Sequence, residues 1–385
     1  MFLLSDYDYD LPEELIAQEA IHPHHNAKMM VIDKELGDIT TETTFWNLDT
    51  YISPNGVLFL NDSRVVRSRI ILKNIPYKKA SSELGILNEG EIFYLSSISD
   101  TYFDALVRPG NKFKVGTIFE IGKYHLEVKE NTESGRVIKI EGGTISDFLI
   151  QHGSLPLPPY IKYSEEKESD YQTSFAKKDG SVAAPTASLH FTKELLEKLP
   201  CKKEYITLHV GLGTFQGIKT SDVRDYQIHS EKVEISKDIF SKIVTIKSNQ
   251  QKIIAVGTTA TRVLESLPYL WMTLHQESKN TIDINTRNYW DTITETIEDK
   301  NWIHSTEESR EGNSITFETS IYITPGFLFK IVDELITNFH LGGSSLLVLI
   351  SAFLGYEKTK KIYEYAIKNK YRFYSFGDGM YIGGK

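Results

Sequence analysis

His190 closes the segment Ser181-Val182-Ala183-Ala184-Pro185-Thr186-Ala187-Ser188-Leu189-His190-Phe191-Thr192, where small residues and a proline surround one histidine. Small residues and proline let a backbone approach a ligand closely and hold that approach. A tight structural turn with a packed histidine reads the same spacing equally well. Other groups suited to moving protons near neutral pH are His209, His229 with Glu231, and His340 after Asn338. Val256-Gly257-Thr258-Thr259 sets two hydroxyls and backbone N–H groups where a strand turns into a helix, which suits a polar or anionic ligand. Leu208 to Thr214 is an apolar strand ending in Gly211-x-Gly213, where a ligand can near the backbone. A GxG alone is equally a tight turn. His22, His24 and His25 share a short polar loop with no carboxylate at ligand spacing, so no metal site is expected.

The elements that position these groups change character along the chain. Asp10 before Pro12 and Glu13 predicts a capped short helix over Glu13 to Gln18. From about Ile70 to Ile140, short β-branched and aromatic runs split by turns predict a small all-β barrel. Beyond Pro156-Leu157-Pro158-Pro159, helices and strands alternate, which implies an α/β domain. Thr192 reads as the N-cap of a helix stopped by Pro200. Ser236 is expected to cap a helix that buries Ile239, Ile243 and Ile246. Ile253 to Val256 reads as a buried strand, and the helix after it is expected to end near Pro268. Ser344 or Ser345 caps a further apolar helix that stops at Gly355. Residues 269–316, rich in Thr, Glu, Asp and Asn, carry Trp271, Trp290 and Trp302 with little clean period. They read as an insertion, either decorating the surface or forming an extra lobe.

The chain has 385 residues, enough for two domains with sizeable cores. Its longest apolar run, Leu346 to Leu354, is too short to cross a bilayer, and no signal peptide is visible. One cysteine, Cys201, excludes an internal disulfide and a cysteine metal cage. A cytoplasmic monomer is the expectation. The net charge of -9 gives no overall basic footprint for nucleic acid. Local stripes remain: Arg64, Arg67 and Arg69; Lys177 and Lys178; and Lys360, Lys361, Lys368, Lys370 and Arg372. Each reads equally as a solvated face.

The Ser181–Thr192 block resembles the VAAPTAGLHFT signature of the S-adenosylmethionine:tRNA ribosyltransferase-isomerases of queuosine biosynthesis, with Ser188 in place of glycine. Further blocks recur in order: Asp8-Tyr9-Asp10-Leu11-Pro12, Asn61-Asp62-Ser63-Arg64, Leu155 to Ile161, Leu208 to Phe215, His229-Ser230-Glu231, Val256 to Thr259, Thr337 to Leu341 and Tyr371 to Asp378. The resemblance implies a large α/β domain, residues 1–66 and 150–385, interrupted by an inserted small all-β barrel domain, residues 67–149. It implies transfer and isomerisation of the ribosyl moiety of S-adenosylmethionine onto 7-aminomethyl-7-deazaguanine in tRNA. The product is epoxyqueuosine, and adenine and methionine leave. S-adenosylmethionine is then a consumed co-substrate, with no tightly bound cofactor.

On this reading the acid/base group lies among His190, His209, Glu231 and Asp378. Asp62, Arg64, Thr186, Gly211, Gly213, Thr214, His229, Thr258, Thr259, Asn338, His340 and Arg372 bind substrate. The sequence departs from the pattern at three places. An Arg-Asp-x-Ser-Arg-Leu-Leu block becomes His24 to Met30; His-Leu-Pro-Lys-Ser-Thr becomes His340 to Ser345; and Gly-x-Thr-Asp becomes Glu318-Thr319-Ser320, with Pro325-Gly326 kept. Arginine loss is not conservative where it grips phosphate. A paralogue with a non-tRNA acceptor and a non-catalytic S-adenosylmethionine or RNA binder are the other readings.

Overall fold

Val57-Leu58-Phe59-Leu60-Asn61 is buried at every position, the pattern of a strand covered on both faces of a parallel sheet. The computed structural model describes residues 2–132, 135–211, 213, 217–275, 284–298, 300–309 and 313–384, and divides into two units. The first holds Met1–Arg64, Pro158–Lys178 and Ala184–Lys385. Its sheet contains β1 (Lys28–Asp33), β2 (Ile39–Thr44), β3 (Val57–Asn61), β4 (Lys202–Leu208) and β5 (Glu231–Ser236). It continues with β6 (Ile253–Val256), β7 (Ile303–Glu308), β8 (Ser314–Thr319), β9 (Glu334–Asn338) and β10 (Gly379–Gly383). The spatial order is β7-β8-β5-β4-β3-β6-β9-β10-β1-β2. Strands β4, β3, β6 and β9 are mutually parallel, and antiparallel partners extend them on both sides. β6 and β9 are buried throughout like β3, whereas the edge strand β2 has no buried residue.

The helices of this unit are α1 (Lys193–Lys198), α2 (Ile239–Ser248), α3 (Gly257–His275), α4 (Ile284–Thr294), α5 (Ser345–Leu354) and α6 (Tyr356–Lys368). Thr192 caps α1 by accepting from the Leu195 N–H, and Ser344 caps α5 by accepting from Leu347. Gly355 ends α5 at φ +101°, a conformation glycine adopts without strain. The strand read from Leu208 to Thr214 is displaced, since β4 ends at Leu208; three further local expectations give way to packing. Only Glu13–Leu15 turns, as a 3-10 helix with no side-chain cap, because Leu15 and Ala17 exchange backbone hydrogen bonds with Phe373. Ser236 ends β5, and Asp238 precedes α2 without a capping bond, although Ile239, Ile243 and Ile246 are buried as expected. Helix α3 runs through Pro268 instead of stopping there. Proline forfeits one helical hydrogen bond, but Leu267, Leu270 and Trp271 are buried on either side and hold the helix together.

Described residues of 269–316 are packed. Trp271 and Trp290 stack with ring centroids 5.9 Å apart and each meets Phe240 edge-on. Their indole N–H groups reach Asp291 Oδ1 and the Phe240 carbonyl. Strands β7 and β8 belong to the sheet.

The second unit holds Val65–Leu157 and Asp179–Ala183. Six antiparallel strands, Arg69–Lys78, Leu84–Ser97, Tyr102–Arg108, Ile118–Ile121, Tyr124–Asn131 and Arg136–Glu141, close into a barrel. Its interior is filled by residues such as Ile70, Leu72, Ile92, Phe103, Phe119 and Leu126. The helix Ile145–His152, capped by Thr144, adds Phe148 and Leu149 to that core. Among the described residues, no helix is long and apolar enough to cross a membrane.

Glu265 on α3 is almost wholly buried and its carboxylate accepts from the backbone N–H groups of Lys330, Ile331 and Val332 at 2.8 to 3.0 Å. Glu265→Ala orphans all three donors and is expected to cost about 3 kcal/mol or more. Glu265→Gln, which keeps an acceptor, is expected to cost less. Urea unfolding of both variants measures the difference.

Candidate functional site

Parallel strands β4, β3, β6 and β9 all end on one side of the sheet, and ligand sites of open α/β sheets form at such carboxyl ends. That side carries Asn61-Asp62 after β3, His209 after β4, Gly257 after β6 and Asn338 at the end of β9. The antiparallel register brings the start of β5, with Glu231, to the same end, because Leu208 pairs with Val233. Asn338 pairs with Gly379, which places Asp378 there too. Gly379 in turn pairs with Met29, bringing Lys28. Residues far apart in the chain therefore converge through strand direction alone.

His190 ends a 3-10 turn, Thr186–His190. It is 4% exposed, and its ring stacks on Phe45 at 4.0 Å between centroids and 9° between planes. Its Nε2 lies 3.1 Å from Asn338 Oδ1. Asn338 Nδ2 donates to the carbonyls of Tyr374 and Ser375, which orients the amide so that Oδ1 accepts from His190. Burial pushes the His190 pKa down to about 4, so the ring is neutral at pH 7. His340 is also neutral: burial takes it to about 3, with Nε2 2.7 Å from Thr337 Oγ1.

Asp378 is 1% exposed and both its oxygens are engaged, Oδ1 by the Lys28 N–H and Oδ2 by the Arg372 N–H. Burial raises its pKa, while the hydrogen bond from the Arg372 backbone opposes the rise. The Arg372 guanidinium donates to the Glu19 and Phe376 carbonyls. Asp378 thus ties two loops to the sheet end.

A second group lies around Glu231. Its Oε2 is ion-paired with Arg262 of α3, and its Oε1 accepts from the Gly211 N–H at 3.0 Å. Arg262 Nη2 and Thr259 Oγ1, one helical turn apart on α3, are buried without a hydrogen-bond partner among the described residues. Gly257 opens this helix at φ +84°, and a Cβ there would touch the Ala187 side chain. Thr258 is buried in the same first turn. A side chain at Gly211 would meet open space, whereas one at Gly213 would fall 2.7 Å from the His229 ring. His229 itself is exposed, and His209 and Thr186 are half-buried. Thr214 lies outside the described residues.

Asp62 is buried and accepts from Thr207 Oγ1, and burial raises its pKa. Arg64 donates to the Ala176 carbonyl. Two cations of the sequence's basic stripes are ion-paired, Arg69 with Glu91 and Lys178 with Glu234.

Sequence reasoning missed Arg262, Phe45 and Asp170. Arg262 was within reach, since it sits one turn beyond Thr258 and Thr259 on a helix start. Asp170 was not: it meets His22 and His24 from more than 140 positions away.

The family model described as Queuosine biosynthesis protein matches residues 4–382. A curated relative from Halothermothrix orenii, named S-adenosylmethionine:tRNA ribosyltransferase-isomerase, is 38% identical over 98% of this chain and 99% of its own. A relative of the same name from Carboxydothermus hydrogenoformans is 37% identical with the same coverage. A solved S-adenosylmethionine tRNA ribosyltransferase from Thermotoga maritima, 26% identical, covers 98% of this chain and 99% of its own at a TM-score of 0.48, too low to carry an argument.

The two buried neutral histidines make stability depend on pH with a definite sign. Their folded pKa values lie below the ordinary 6.5, so the unfolded chain binds more protons between that value and about 4. Their contribution is complete above 6.5 and is lost as pH falls through this window. Each histidine adds a slope approaching about 1.4 kcal/mol per pH unit. His190→Phe, which keeps a ring against Phe45, should flatten the dependence by about one proton. Urea unfolding across the window reads that slope.

Proposed function

This chain belongs to the queuosine biosynthesis protein family, and we propose the part each of its residues plays in that family's ribosyl transfer. The reaction moves and isomerises the ribosyl moiety of S-adenosylmethionine onto 7-aminomethyl-7-deazaguanine in tRNA, giving epoxyqueuosine with loss of adenine and methionine. The observation that carries this reading is the end-to-end match, at 38% identity, with a protein named for that activity.

The chemistry has three requirements. A base removes a proton beside the sulfonium, whose charge acidifies the neighbouring carbon. Departing adenine needs a proton or hydrogen bonds, and the ring oxygens need donors as charge develops. His190, unprotonated at neutral pH and oriented by Asn338, is our candidate for proton removal. The first turn of α3 presents Thr258 and the unpaired Thr259 Oγ1, with the unpaired Arg262 Nη2 one turn on; it suits the methionine carboxylate. Glu231, held by Arg262 and Gly211, fixes the shape of that turn. Gly211 leaves space for substrate beside His209. Asp378 and Arg372 position the loops around His190, and Asp62 and Arg64 orient the acceptor. S-adenosylmethionine is consumed, and the ribosyl chemistry as proposed uses no resident cofactor. We place the protein in the cytoplasm as a monomer.

Adenine and methionine release from S-adenosylmethionine, followed by mass spectrometry with and without tRNA bearing 7-aminomethyl-7-deazaguanine, tests the reading. The expected result is release that depends on the tRNA, with a mass gain on the base. Release without tRNA would point to another acceptor, and binding without release to a non-catalytic protein. His190→Ala should lower adenine release by about 100-fold or more, and Asp378→Asn, which turns an N–H toward one of two backbone donors, should lower it by loosening the loops around His190. Normal turnover in both would overturn their assignment.

A further inference from the structure

We propose that His22, His24 and Asp170 form a binding site for one divalent transition-metal ion of the zinc class. The three residues offer one donor atom each, and these atoms all lie within 4.8 Å of one another. His22 Nε2 is 3.2 Å from Asp170 Oδ2, and His24 Nε2 is 3.3 Å from Asp170 Oδ1. The carboxylate therefore presents a different oxygen to each imidazole.

The tautomer of His24 is the second, independent observation. Its Nδ1 lies 3.0 Å from the Leu189 carbonyl, which can only accept, so Nδ1 carries the proton. In the neutral ring the Nε2 lone pair then faces a carboxylate lone pair at 3.3 Å. A metal ion seated between the two lone pairs would turn that repulsion into coordination. A charged N–H donor draws a carboxylate oxygen to about 2.7–2.9 Å. Ligands bound at about 2.1 Å around a tetrahedral ion stand roughly 3.4 Å apart. The observed 3.2 and 3.3 Å lie nearer the metal spacing.

The donor set supports the same class. Two imidazoles and a carboxylate without sulfur are typical of zinc sites that keep a fourth position for water. The His22 side chain is 66% exposed, while those of His24 and Asp170 are 17% and 18% exposed, which leaves an approach from solvent on the His22 side. The Nδ1–H bond from His24 to a backbone carbonyl is the usual outer contact of a metal-bound histidine. Through it the ion would fasten the 22–24 turn to Leu189, the residue before His190. The site thus positions the signature turn and takes no part in ribosyl transfer, and the proposal does not rest on that activity.

Tag-free full-length protein, stripped with a chelator, is titrated with Zn2+ by calorimetry and with Co2+ by visible absorption. The expected result is one ion per chain and the intense absorption of four-coordinate Co2+. His24→Gln and Asp170→Asn should each weaken Zn2+ binding at least about tenfold, while His125→Ala, in the barrel, leaves it unchanged. Absence of stoichiometric binding, a six-coordinate aqua-type Co2+ spectrum, or equal affinity in the ligand variants would overturn the site and leave His22, His24 and Asp170 as a hydrogen-bonded cluster. Circular dichroism in chelator checks the variants' fold. Should a variant fail to fold, the wild-type stoichiometry and Co2+ spectrum still decide.

Discussion

Asn338 stands at the end of a strand buried on every side, and its amide has no access to water. All its polar capacity must be met by the protein, and two separate pieces of chain meet it. The Tyr374 and Ser375 carbonyls take its N–H groups, and His190 donates to its oxygen. An aliphatic side chain at this position would strand two carbonyls and a ring N–H in the interior, at about 1–3 kcal/mol for each. The signature turn and the loop before β10 are therefore fixed relative to the sheet by one neutral amide. A carboxylate could not replace it, because two of its partners are carbonyl oxygens.

Buried carboxylates do comparable work at two other points. Asp378 holds the backbones of Lys28 and Arg372, and Glu265 holds the segment from Lys330 to Val332. In both, burial pushes the pKa up and backbone donors push it down, with burial the larger cause. The result is a loop clamp at some electrostatic cost, not a group poised for exchange with solvent. Glu231 differs in having a full guanidinium partner, so its charge is balanced by a permanent cation on α3.

Much of this was legible in the sequence. The apolar run Ile253–Val256 gave one central strand, and β-branched runs between turns gave the barrel, whereas the strand read at Leu208 to Thr214 ends where it was expected to begin. Thr192, Ser344 and Gly355 marked helix ends because cap chemistry is local. Asp10, Ser236 and Pro268 misled because tertiary contacts decide those places: Phe373 claims the backbone after Asp10, and buried leucines carry α3 past its proline. The motif residues were readable as a set, but their meeting place was not, since it depends on strand order and direction. Asp170 carries no local mark at all. Only the fold brings it beneath two histidines that form a polar loop when read alone.

The same fold narrows the choice among the four acid/base candidates. A proton acceptor at neutral pH must be unprotonated and must not already spend its acceptor capacity on the backbone. Asp378 fails the second condition at both oxygens. Glu231 divides its oxygens between Arg262 and Gly211. His190 meets the first condition because burial keeps it neutral, with its Nε2 held by Asn338. A pKa near 4 makes it a weak base in the ligand-free protein. The positive sulfonium would depress it further, whereas a nucleic-acid phosphate or the substrate's own carboxylate would raise it. Were His190 the base, its strength would be set by the occupied site, with the acceptor's charge tuning the group that acts on the donor.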